Sequence, residues 1–137
     1  MCRYCQAMAR IKDIVIDCER PASLARFWIA ALDGYSVAPY TEDDLAQLRE
    51  RGFDGPEDDP EVLLLPGPGG GPRVWCTKVP EGKVVKNRVH VDLEAADPGA
   101  ELARLVQVGA AQAWETSTLW VLTDPEGNEF CLLKDPA

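Results

Sequence analysis

Hydrophobic and polar positions along the chain follow two rhythms, and their order predicts the elements. Over residues 11–18, Ile14, Ile16 and Cys18 alternate with Asp13, Val15 and Asp17, the period of a strand with one buried face. Pro21 suits a first helical turn, and Leu24, Phe27, Trp28, Ala31 and Leu32 recur at helical spacing until Gly34. Short strands are predicted at 35–38, 62–65 and 73–79, the last two separated by the turn sequence PGPGGGP at 66–72. Residues 41–60 break the pattern: they are acidic, Leu45 and Leu48 mark one short helix, and Gly52, Gly55, Pro56 and Pro60 mark a mobile loop. This segment reads as an insertion: a solvated loop, a lid or a docking element.

After a crossover at 80–86 the order returns. Residues 87–93 read as a strand, Asp97 and Pro98 as an N-cap and first helical residue, and Leu102, Leu105 and Val106 as the apolar stripe of a helix ending at Gly109. Strands at 111–114, 119–123 and 129–133 follow, the last two joined by the hairpin turn Asp124-Pro125-Glu126-Gly127-Asn128. Each half thus reads strand, helix, three strands. The opening strands superpose with Val15 on His90, an offset of 75 residues, and the closing strands with Val74 on Glu129, an offset of 55. The two offsets differ by the 20 residues of 41–60, so a single insertion accounts for both. The expected fold class is α+β, with two tandem β-α-β-β-β modules. Residues 1–10 form a tail and 11–137 one domain, with module one at 11–79, the linker at 80–86 and module two at 87–134.

Charge narrows the partners. The formal charge is −9, from 23 acidic and 14 basic side chains, which disfavours nucleic acid and anionic membrane surfaces. No apolar run reaches the roughly 20 residues of a membrane helix. Residues 1–10 lack the apolar stretch of a signal peptide, so a cytoplasmic location is expected. PGPGGGP lacks the Lys and Ser/Thr of a phosphate-binding loop. Of the five cysteines, Cys18, Cys76 and Cys131 sit in apolar strand contexts and are expected to be buried free thiols. Cys2 and Cys5 form a lone C-x-x-C in the tail, without the second pair that a structural zinc site needs.

The run Arg88-Val89-His90-Val91-Asp92-Leu93, the hairpin and its continuation Glu129-Phe130, and the repeated β-α-β-β-β order together resemble the vicinal oxygen chelate superfamily. The resemblance covers about residues 11–134 and is strongest to glyoxalase-like and bleomycin-resistance-like members. It implies a curved, half-open barrel, a cleft between the modules and frequent homodimers. In the metal-dependent enzymes of that superfamily, ligands come from the opening and closing strands of each module, and the metal stabilises an enolate or similar anion. Module two supplies His90 and Glu129 at those positions, donors suited to nickel, zinc, manganese or iron. Module one supplies Val15 and Val74, or Trp75 with the closing strand shifted by one residue, and none of these coordinates a metal.

His90 is the sole histidine and has three readings. It is a structural partner of Glu129, a metal-free general base oriented by Glu129, or a metal ligand. Arg88 and Asp92 share its strand face and are candidate ligand-binding residues with it. Trp28 and Trp75 are expected in the helix-facing core, whereas Trp114 and Trp120 are either core residues or aromatic walls of the cleft. The expected function is small-molecule binding between the modules, an acidic cleft suiting a cationic ligand. The alternative is a metal-dependent lyase, isomerase or dioxygenase.

Overall fold

The computed structural model describes residues 7–135, so the Cys2/Cys5 pair lies outside the described residues. The chain folds into two four-stranded mixed sheets, open rather than closed. The first contains β1 (Asp13–Cys18), β2 (Ser36–Val37), β3 (Glu61–Leu65) and β4 (Arg73–Lys78), in the order β1-β4-β3-β2. The second contains β5 (Asp92–Leu93), β6 (Ala111–Glu115), β7 (Leu119–Thr123) and β8 (Glu129–Leu133), in the matching order β5-β8-β7-β6. In each sheet the opening and closing strands pair in parallel and the others antiparallel. Helix α1 (Pro21–Ala31) follows β1, and α3 (Pro98–Val108) follows β5.

Residues 41–60 hold helix α2 (Glu42–Glu50) and a 3-10 turn at Pro56–Asp58. Thr41 and Asp44 close a capping box that satisfies donors at the start of α2. The 3-10 turn is tied to α1 by a two-pronged Arg26–Glu57 pair at 2.7 and 2.9 Å, and Tyr40 donates to Asp59 at 2.7 Å.

Two expectations about the strands are corrected. The strand foreseen at 87–93 is regular only at Asp92–Leu93. Upstream, the Asn87 N–H donates to the Glu129 carboxylate instead of entering a ladder, and the Cys131 N–H reaching Val91 O extends the pairing. The closing strands also superpose differently. Asp17 pairs with Thr77, and Asp92 with Cys131. With Asp17 equivalent to Asp92, Thr77 is therefore equivalent to Cys131, an offset of 54 rather than 55. Antiparallel pairing carries the equivalence on to Glu61 and Val121, an offset of 60. The extra length of module one is thus divided between 41–60 and the longer β3–β4 turn. The single shift changes parity, so Trp75 corresponds to Glu129 and Cys76 to Phe130.

That parity decides what is core. Val62, Leu64, Val74 and Cys76 face α1, while Leu122, Phe130 and Leu132 lie on the matching face of the second sheet. Leu24, Ala25, Phe27, Trp28 and Ala31 of α1 and Leu105 of α3 complete one continuous core. Phe130 joins the modules, with its ring 5.0 Å from Trp28 and 6.1 Å from Phe27. Trp75 was expected in this core but is only half-buried and lies on the opposite sheet face, in register with Val15 and Leu63.

The second-module hairpin fastens the modules together. The Asp124 carboxylate is buried and accepts from the backbone N–H groups of Glu126 and Asn128 at 2.9 Å and from Trp28 Nε1 at 3.2 Å. Gly127 takes φ +86, which the turn requires and a side chain would disfavour. Glu126 reaches across to accept from the N–H groups of Glu19 at 2.9 Å and Arg20 at 3.1 Å. Arg20, the N-cap of α1, has no side-chain cap of its own, so a carboxylate from the other module serves the positive end of that helix. At the far end of α1, Arg104 of α3 donates to the carbonyls of Ala30 and Ala31.

Candidate ligand cleft

Strand alternation gives each sheet a second face, away from its helix. In module one this face carries the rows Asp13–Arg73, Val15–Trp75–Leu63 and Asp17–Thr77–Glu61. In module two it carries Glu129–Thr123 and Asp92–Cys131–Val121–Trp114, with His90 preceding Asp92 on the same parity and so level with Glu129. A cavity of about 930 Å³ opens along the seam between β1 and residues 79–93. Its walls include Val15, Ile16, Trp28, Val89 and Phe130, and its polar lining includes Asp17, Glu19, Glu81, Lys83, Arg88, His90 and Glu129. None of residues 41–60 lines it.

Glu129 is held firmly. Its carboxylate accepts from the Asn87 N–H at 2.9 Å and from Lys83 Nζ at 3.1 Å, while Asn87 Nδ2 donates to its carbonyl. Lys83 also donates to Val85 O. The Asn87 N–H, helped by Lys83, lowers the Glu129 pKa to about 2, so the group is ionised at neutral pH. His90 is not among these partners. Its imidazole is 38% exposed, and Nε2 lies 3.6 Å from Asp92 Oδ1. Donor atoms of His90, Asp92 and Cys131 all lie within 4.8 Å of one another. The Cys131 thiol is free and buried, and burial, reinforced by the Asp92 charge, raises its pKa.

The remaining sequence-selected residues separate. Arg88 lines the cavity beside His90, but Asp92, Trp114 and Trp120 do not. Trp114 is 46% exposed on β6, in the row of Asp92 and Cys131. Trp120 packs against the core, and Lys134 Nζ sits 5.1 Å from its ring centroid. Sequence reasoning passed over Lys83, Asn87 and Cys131 as site residues. Lys83 lies in the linker, whose path no periodicity reports, and Asn87 in the stretch read as a strand that is irregular before Asp92, whereas Cys131 shares the strand parity of Glu129 and was detectable on that ground.

The metal positions implied by the resemblance do not fit a resident ion. The register sets Val15 and Trp75 opposite one another where module two has His90 and Glu129, and neither offers a donor. The Glu129 carboxylate is already paired with Lys83 and accepts from the Asn87 N–H.

The chain belongs to the glyoxalase-like domain family, whose profile matches residues 13–133. No curated protein sequence matches it. Solved structures similar in fold include the fosfomycin resistance protein FosX from Mesorhizobium loti. It is 12% identical with a TM-score of 0.64, the match covering 93% of each chain. A glyoxalase/bleomycin resistance protein/dioxygenase superfamily member from Sphaerobacter thermophilus is 17% identical with a TM-score of 0.60, covering 95% of this chain and all of that one. A bleomycin-binding protein in complex with bleomycin is 13% identical with a TM-score of 0.52, covering 93% of this chain and 99% of that one. Among the described residues, no helix is long and apolar enough to cross a membrane.

Proposed function

We propose that this protein binds a small amphipathic cation in the cleft between its modules, without catalysing a metal-dependent reaction. The observation that carries this reading is the cavity itself: apolar walls at Val15, Ile16, Val89 and Phe130, with the carboxylates of Asp17, Glu19 and Glu81 around them. Such a site desolvates an apolar body and leaves a cationic group among carboxylates. A structural neighbour is a bleomycin-binding protein in complex with bleomycin, which supports small-molecule binding by this fold. His90 and Arg88 serve as polar contacts in the same cleft, and Trp114 supplies an aromatic surface beyond it. A lyase, isomerase or dioxygenase reading has less support, because Val15 and Trp75 leave the first module without donors.

The test is a thermal-shift screen comparing cationic aromatic compounds, bleomycin among them, with anionic compounds of similar size, fosfomycin among them. Cationic compounds raise Tm, and Asp17→Asn with Glu81→Gln reduces that shift while leaving the unliganded Tm unchanged. If anionic compounds stabilise as well as cationic ones, or no compound does, the reading fails. We further propose a homodimer. Supporting it, β6 is an outer strand with all five residues exposed, including Trp114. Sedimentation at a single monomer mass would remove that part.

A further inference from the structure

We propose that His90, Asp92 and Cys131 form a three-donor site for a divalent cation of the zinc or cobalt type, with Asp92 and Cys131 one row along the sheet from Glu129. The sequence builds it simply. His90 and Asp92 are two residues apart on an extended segment, so their side chains share a face. Cys131 is the register partner of Asp92 on β8 and presents its thiol to that same face. Tetrahedral bonds of about 2.0–2.3 Å place neighbouring donors roughly 3.3–3.8 Å apart. The His90–Asp92 distance of 3.6 Å is already within that range. The full set spans no more than 4.8 Å, which small side-chain rotations close.

Imidazole, carboxylate and thiolate together favour a borderline cation over magnesium or calcium. Binding breaks the Cys131 S–H bond, forms a sulfur–metal bond and releases the proton to solvent. Cys131 is buried whereas His90 and Asp92 are exposed, so the site has a rigid floor and an open side. Three protein donors leave a fourth position for water or a ligand. In module one the equivalent positions are Val15, Asp17 and Thr77, which lack both imidazole and thiol. The inference does not depend on ligand binding in the cleft.

The experiment uses the full chain carrying Cys2→Ser and Cys5→Ser, stripped with chelator and titrated with cobalt(II). One equivalent binds, giving a near-ultraviolet thiolate-to-cobalt band and the intense visible bands of tetrahedral cobalt, both bleached by zinc. Cys131→Ser abolishes the near-ultraviolet band. His90→Ala and Asp92→Asn, at exposed positions where the fold tolerates change, each weaken cobalt binding by at least about tenfold. Cys18→Ser and Glu129→Gln retain the band. Absence of any such band overturns the proposal, as does a band that survives Cys131→Ser or disappears with Glu129→Gln. If Cys131→Ser does not fold, His90→Ala decides: undiminished cobalt affinity in that variant overturns it.

Discussion

The two modules share one strand order and differ in the chemistry of the face that order exposes. Row for row, Val15–Trp75–Leu63 in the first stands where His90, Glu129 and Thr123 stand in the second, and Asp17–Thr77–Glu61 stands for Asp92–Cys131–Val121. One sheet thus offers an apolar row, and the other an imidazole, a fixed carboxylate and a thiol. The helix-facing sides stay apolar in both modules because they share one core. A duplicated fold is held by its buried face, and its open face is free to diverge.

The comparison extends to what each module does for the other. Phe130 fills the seam against α1, and its counterpart Cys76 is a small residue buried beneath the same helix. Phe130→Ala is therefore expected to destabilise by ~3–5 kcal/mol, and Cys76→Ala by only ~1 kcal/mol, measured by urea unfolding. Equal losses would mean that Phe130 does not join the modules. Next in size is the cross-module helix cap. Glu126→Ala removes the acceptor for two N–H groups at the start of α1 and should cost ~1 kcal/mol. A double-mutant cycle with Trp28→Phe should show coupling through the hairpin, and strict additivity would argue against a shared clasp.

A pH response separates the equivalent positions Glu129 and Trp75. The Glu129 pKa is lowered from 4.5 to about 2, so its contribution is fully present above about pH 4.5 and is lost as pH falls towards 2. Glu129→Gln should flatten the loss of stability between pH 5 and pH 3, and Trp75→Phe should not. Asp124 has the opposite sign, because burial raises its pKa and its ionisation opposes folding. The Glu129 effect is therefore read as the difference between wild type and variant at each pH.

Local pattern determined much of this molecule. The helices at Pro21–Ala31 and Pro98–Val108 start at prolines that suit a first turn, and their apolar stripes are periodic over the full length. The Asp124–Asn128 turn was legible because Asp and Gly have local reasons to occupy such positions. The repeated strand order followed from these elements, and with it the family resemblance. His90 and Glu129 could be singled out as chemically capable residues from the same strings.

Tertiary structure alone decided how those residues are used. A shift of one residue exchanges the two faces of a strand, and three-residue matches such as Val74-Trp75-Cys76 cannot fix a register that only pairing to β1 defines. That pairing moved Trp75 out of the core and set it opposite Val15. The partners of Glu129 are Lys83 and Asn87, on an irregular segment more than 40 residues upstream. The approach of Cys131 to His90 and Asp92 likewise depends on the parallel β5–β8 register. Periodicity records which face of an element is buried; which side chains meet across that face depends on contacts between distant segments, and those exist only once the chain has folded.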